Sequence, residues 1–226
     1  MIQDLGDWLE DVELSRFASP SIYIDNHHQT VAVSACATQG VVAEAIAAQW
    51  LINLGWTVAH HRWHCRWGEI DLIAYPQGRK IAPNSPQIMT FNQSVNQSVS
   101  NGIVPLVFVE VKGRSRGNWD ANGLLSITAA KQAKLWKAAE LFLSEMSPHA
   151  QYACRFDVIL IRQGRSPHSL SSQSVTKSSA PADGIIPEVD RMLPIPKAIQ
   201  PGRWIAVGPS RFCVDQHLQH AFEQTL

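Results

Sequence analysis

The sequence predicts an α/β protein, a mixed β-sheet with helices packed on it. Three observations predict this. An Ala-rich run, Ala37–Leu54, has helical composition and is followed by Gly55. Four apolar runs of strand length stand at Trp56–His64, Glu69–Tyr75, Leu106–Lys112 and Arg155–Arg162. A second helical pattern lies between the third and fourth runs. The order is therefore helix, three strands, helix, strand, which sets helices against a sheet of mixed direction.

The first helix ends at Gly55, the residue type that most easily adopts a left-handed cap. In Leu106–Lys112, Leu106 and Phe108 share one face and Val107, Val109 and Val111 the other. A run apolar on both faces belongs in the centre of a sheet. Ser126 could cap the second helix, which runs to about Ser144 before Ser147-Pro148 stops it. "RFDVILIR" at 155–162 forms the fourth strand, and "RWIAV" at 203–207 suggests a short additional one. Two segments read as spacers: 78–104, with its "NQSV" tandem, and 163–202, rich in Ser and Pro. The organisation expected is an acidic N-terminal extension (1–36), a core (37–162) interrupted by the loop at 78–104, a flexible insertion (163–202), and a C-terminal strand and tail (203–226) that complete the core.

No apolar run approaches the roughly 20 residues that span a bilayer. The acidic start "MIQDLGDWLEDVEL" lacks the basic region of a signal peptide. Four widely spaced cysteines without a CxxC pair suggest reduced thiols and a cytoplasmic protein. The formal net charge is zero, yet it is unevenly spread. Residues 1–39 carry six acids and one base, whereas 40–162 carry twelve bases and eight acids. A mildly basic middle is compatible with a polyanionic partner without demanding one.

Charge also stands where apolar residues belong. Side chains alternate along a strand, so Glu110 and Lys112 share a face, about 6–7 Å apart. Asp71 shares its face with Ile73. On the first helix, the neighbours of Glu44 at helical spacing are Gly40, Val41, Ala47 and Ala48. None can pair with a carboxylate, so a partner elsewhere is expected. A divalent cation would satisfy three clustered carboxylates at once. The competing explanation is a Glu–Lys ion pair on an edge strand, with Asp71 exposed at a strand end.

Glu44 in "GVVAEAIAAQWLINLGW", Asp71 in "HRWHCRWGEIDLIA", Glu110 and Lys112 in "LVFVEVKGRS", and "RFDVIL" together resemble the YraN-like family of uncharacterised proteins. That family lies within the PD-(D/E)xK restriction-endonuclease-like superfamily and is similar to archaeal Holliday-junction resolvases. The resemblance runs from about Gly40 to Arg162 and resumes faintly at His217–Phe222. The superfamily's proline before the acid is Ile70 here, which is usual for the family. Ala43 stands where a glycine is usual, Arg62 and His64 replace an arginine and an asparagine often found upstream of "GEID", and the 78–104 spacer is unusually long.

The resemblance implies a restriction-endonuclease-like core and a metal-dependent nuclease acting on structured or branched DNA. Asp71 and Glu110 would hold Mg²⁺, or Mn²⁺, with the Val111 carbonyl, and Glu44 would add a ligand directly or through water. Lys112 would orient or deprotonate the attacking water. Basic residues suited to a phosphate backbone are Arg66, Arg114, Arg116 and Lys131. Lys134 and Lys137 read as a solvated helix face, with Leu135, Ala138, Ala139 and Phe142 turned inward. A homodimer is a further expectation, since related resolvases work as dimers. A non-catalytic nucleic-acid binder and a protein-interaction module share the same fold, and fold cannot separate them.

"HHRWHC" at 60–65 invites a zinc site, but strand alternation puts His60 with His64 and His61 with Cys65 on opposite faces. Gly-rich phosphate loops are absent from the sequence. Trp63, Trp67 and Trp119 lie near the motifs and could stack on bases, although buried core is the commoner use of tryptophan.

Overall fold

A computed structural model describes residues 21–77, 106–114, 127–146, 154–165 and 191–222. The 78–104 spacer, Arg116, Trp119 and Ser126 lie outside the described residues. The core elements follow the expected order: α1 (Gln39–Asn53), β3 (Trp56–Cys65), β4 (Gly68–Pro76), β5 (Leu106–Arg114), α2 (Ala129–Met146) and β6 (Cys154–Arg165). They form a six-stranded sheet of order β3-β4-β5-β6-β9-β8, completed by β8 (Ile205–Val207) and β9 (Ser210–Phe222). Strands β5 and β6 run parallel, joined through α2, and the other pairs are antiparallel. The result is a mixed sheet flanked by helices, compatible with a restriction-endonuclease-like core.

Thr38 caps α1, accepting from the Val41 N–H, and Gly55 follows its end at φ +82°. Thr128 caps α2 by accepting from the Lys131 N–H. Helix α1 is buried almost continuously from Val41 to Ile52. A helix apolar all round must be covered on all sides, and a second sheet explains how. Strands β1 (Ile22–Asp25), β2 (Thr30–Ser34) and β7 (Met192–Pro194) form a three-stranded sheet of order β1-β2-β7. Its Ile22, Val31 and Val33 join α1 and one face of the large sheet in a single apolar cluster. On the opposite face, Leu135, Ala138, Ala139 and Phe142 of α2 pack against Phe108, Phe156 and Leu160.

Residues 22–34 thus form a hairpin within the range read as an acidic extension, and β7 falls within the range read as a flexible insertion. Strands of three to five residues are too short to display a period, so these pieces are invisible without their partners. Polar side chains fix the hairpin in place. Gln49, fully buried, accepts the Val31 N–H at 3.0 Å and donates to the Gln29 carbonyl. Asn26 bonds both the N–H and the carbonyl of Val58, each at 3.0 Å, as a neighbouring strand would. Strand β9 also escaped the sequence pattern. Its pairing with β6 shifts register twice, and His220 has φ +50°, so alternation is broken along its length.

Candidate functional site

The site sits where β4 and β5 part. These strands pair at Ala74–Val107, Ile73–Phe108 and Leu72–Val109, while β5 continues beside β6 as far as Arg114–Arg162. The Val111 N–H, two residues beyond the last β4–β5 pair, is taken by the Asp71 side chain, with Oδ2 at 2.7 Å. Asp71 therefore occupies the fork between two strands, and β5 is central, as its two apolar faces required. Glu110 is 4% exposed and points to the α2 side. Its Oε1 accepts from Lys112 Nζ at 2.6 Å and also from Lys131 Nζ, which reaches over from the first turn of α2. An E-x-K ion pair exists, but on a central strand and beside a half-buried second acid.

The electrostatics of the fork are unusual. Burial, then the charge of Glu110, raise the Asp71 pKa to about 7, with Glu44 adding to the rise and the Val111 N–H and Lys131 opposing it. Two carboxylates brought together in a poorly solvated place resist ionising together. Burial alone would lower the Lys131 pKa, but its bond to Glu110 outweighs that and holds the ammonium above its ordinary value.

Glu44 finds its partners on β3. His61 Nε2 donates to Oε2 at 2.6 Å, and Arg62 donates from Nε and Nη2 to the two oxygens at 2.8 Å each. Burial pushes the Glu44 pKa up, yet these partners hold it below the usual range. Neighbouring residues reach one carboxylate because β3 breaks its alternation twice. The register shifts between Val58 and His60, and Arg62 has φ +52°. As a consequence His61 faces α1, whereas Trp63 and Cys65 pack with the α2 layer. This corrects the expected grouping of His61 with Cys65, because regular alternation does not survive the positive φ at Arg62. Among the described residues, no three His, Cys, Asp or Glu side chains form a preformed metal cluster. The role of His61 and Arg62 was missed in the sequence. The signal was there: a carboxylate without a helical partner, followed by a strand rich in bases.

The other basic candidates are dispersed. Arg66, exposed on the β3–β4 turn, lies 5.2 Å from the Trp67 ring centroid. Lys137 Nζ stands 4.4 Å over the same ring. Trp67, Glu69, Lys131 and Lys134 line a groove between that turn and α2. Arg114 lies two residues beyond Lys112, at the end of β5.

The profile of "Uncharacterised protein family UPF0102" matches residues 43–161, more than half of the chain and every residue of this site. The chain belongs to the UPF0102 family. A UPF0102 protein of Trichodesmium erythraeum is 43% identical over 140 residues, which cover 62% of this chain and 69% of the relative. UPF0102 protein sll0189 of Synechocystis is 31% identical over 183 residues, covering 81% and 96%. Membership of UPF0102 bears out the YraN-like resemblance. Among the described residues of this UPF0102 chain, no helix is long and apolar enough to cross a membrane.

Proposed function

We propose that this protein hydrolyses phosphodiester bonds in branched or otherwise structured DNA, with Mg²⁺ or Mn²⁺ as cofactor. The observation that carries this function is the Asp71–Glu110 pair in the β4–β5 fork. Its mutual repulsion and the raised Asp71 pKa are what an added cation would relieve. The donor set fits such a metal: two carboxylates and the Val111 carbonyl, the small oxygen complement Mg²⁺ usually takes from protein. Glu44, whose charge acts on Asp71, would contribute directly or through water. A bound cation would supply Lewis acidity and an activated water at neutral pH.

The chain's own groups do the rest. Lys112 and Lys131 converge on Glu110, so either ammonium can offset charge building on a phosphate oxygen, and Lys112 can orient the attacking water. His61 and Arg62 hold the Glu44 carboxylate ionised and in one orientation. Arg66, Arg114, Arg116 and Lys131 would contact the backbone without reading bases.

The test is cleavage of labelled branched, flapped, single-stranded and duplex DNA with Mg²⁺ or Mn²⁺, alongside Glu110→Ala and Lys112→Ala. Metal-dependent cutting lost in both variants is expected. Binding without cutting would replace this function with non-catalytic nucleic-acid binding, and neither activity would leave a protein-interaction role.

A further inference from the structure

Helix α2 covers only part of its face of the large sheet. On β6 and β9 the apolar contacts of that face are made by Phe156, Val158, Leu160, Leu218 and Phe222. The opposite ends of the two strands carry different chemistry on the same face. Arg162 follows Leu160 by two residues and pairs in register with Arg114. Arg211 pairs with Gly164 on one side and Ala206 on the other. Between them lies Trp204. Its ring centroid is 5.7 Å from the Arg162 guanidinium and 4.7 Å from that of Arg211.

Gly164 makes the arrangement sterically feasible. A Cβ there would stand 3.2 Å from the Trp204 ring and 3.0 Å from Arg211 Nε, so the bare backbone is the bed on which the indole lies. The Nε atoms of both arginines are buried without a hydrogen-bond partner, which leaves the ring contact to hold that end of each side chain. The Arg162 side chain is nonetheless 42% exposed, and among the described residues its acidic partner is Asp215 at 2.7 Å. Lys112, Arg114, Arg162 and Arg211 therefore form a row of cations leading away from Glu110 and crossing three strands. Arg162 lies about 13 Å further along the strand direction than Glu110, and Arg211 about 20 Å, from the rise per residue. On this face, no helix covers this end of the sheet among the described residues.

We propose that Arg162 and Arg211, held rigid by Trp204, bind the phosphodiester backbone of a nucleic-acid strand leaving the Asp71–Glu110 fork. The site extends the function proposed above and rests on it. A row of fixed guanidiniums on a sheet recognises phosphate without base identity. The aromatic clamp reduces the ordering required of two long side chains on binding.

The test is fluorescence anisotropy with labelled single-stranded, duplex and flapped DNA, titrated in Ca²⁺ buffer over a range of salt. Replacing both arginines, Arg162→Gln with Arg211→Gln, removes two phosphate contacts. The log–log salt slope should fall by about 1.8 on duplex or about 1.4 on a single strand, with affinity lower by on the order of tenfold or more. The size of the change identifies which form of strand occupies the row. Arg162→Lys with Arg211→Lys should retain most of the slope. Should the Gln variant fold poorly, Ala206→Glu puts an acid on an exposed position beside Arg211 and removes no contact; it should weaken binding too. Wild-type binding that neither variant changes overturns this site and leaves the function above intact. A wild-type protein that binds none of the three DNAs overturns both.

Discussion

Replacing Asp71 by Asn tests the electrostatics of the fork directly. Asn keeps an oxygen for the Val111 N–H, so the bond at 2.7 Å can persist while the charge is removed. The Asp71 pKa is raised from 3.8 to about 7 in the folded protein. A raised acid favours folding when protonated: its contribution is full below about pH 4 and is lost as pH rises through 7. The difference of about 3 pH units corresponds to about 4 kcal/mol at pH 8, at 1.36 kcal/mol per unit. In a chain of this size that is about 8–16 °C in Tm. In chelator, the wild type should lose stability between about pH 4 and pH 7, and the Asn variant should lose much less. Thermal unfolding across that range is the assay. Adding Mg²⁺ at pH 8 should raise the wild-type Tm and leave the variant nearly unmoved. Parallel Tm–pH profiles for the two proteins in chelator would refute the proposed repulsion in the fork.

Further outcomes follow from the same contacts. Glu44→Ala leaves His61 and Arg62 without their carboxylate and should cost about 2–4 kcal/mol by denaturant unfolding, less than a fully buried pair because Arg62 reaches solvent. The Glu44 pKa is lowered in the fold, so its contribution is present above pH 4.5 and lost as pH falls, which acid titration of wild type against Glu44→Gln would show. Gln49→Ala strands the Val31 N–H in the core and should cost about 1–3 kcal/mol, with faster hydrogen exchange at Val31. Gly164→Ala makes Trp204 and Arg211 give way by a few tenths of an ångström and should lower stability by about 1 kcal/mol in chemical unfolding.

Much of the core was legible because it obeys local rules. Gly55 closes α1, the two-faced apolar run of β5 demanded a central place, and α2 turned Leu135, Ala138, Ala139 and Phe142 inward as its spacing required. Asp71, Glu110 and Lys112 announced themselves as charges in apolar strands; Lys112 pairs with Glu110, and the Glu110 charge acts on Asp71. What stayed hidden depends on broken periods or on distant pairing. The two irregularities of β3 that aim His61 and Arg62 at Glu44 leave no mark in composition. Strand β9 loses its alternation at register shifts with β6, and Arg211 meets Trp204 only because Gly164 lies across from it on another strand.

The sequence by itself determined the order of the core elements, the central place of β5, the charged residues of the fork and the family, because propensity, periodicity and motif spacing are properties of neighbours along the chain. Only the tertiary structure decided which cation meets which carboxylate, how a short N-terminal hairpin covers α1, and where the arginine–tryptophan row lies on the sheet. Those depend on register and backbone dihedrals, where one bulge or one positive φ sends a side chain to the opposite face.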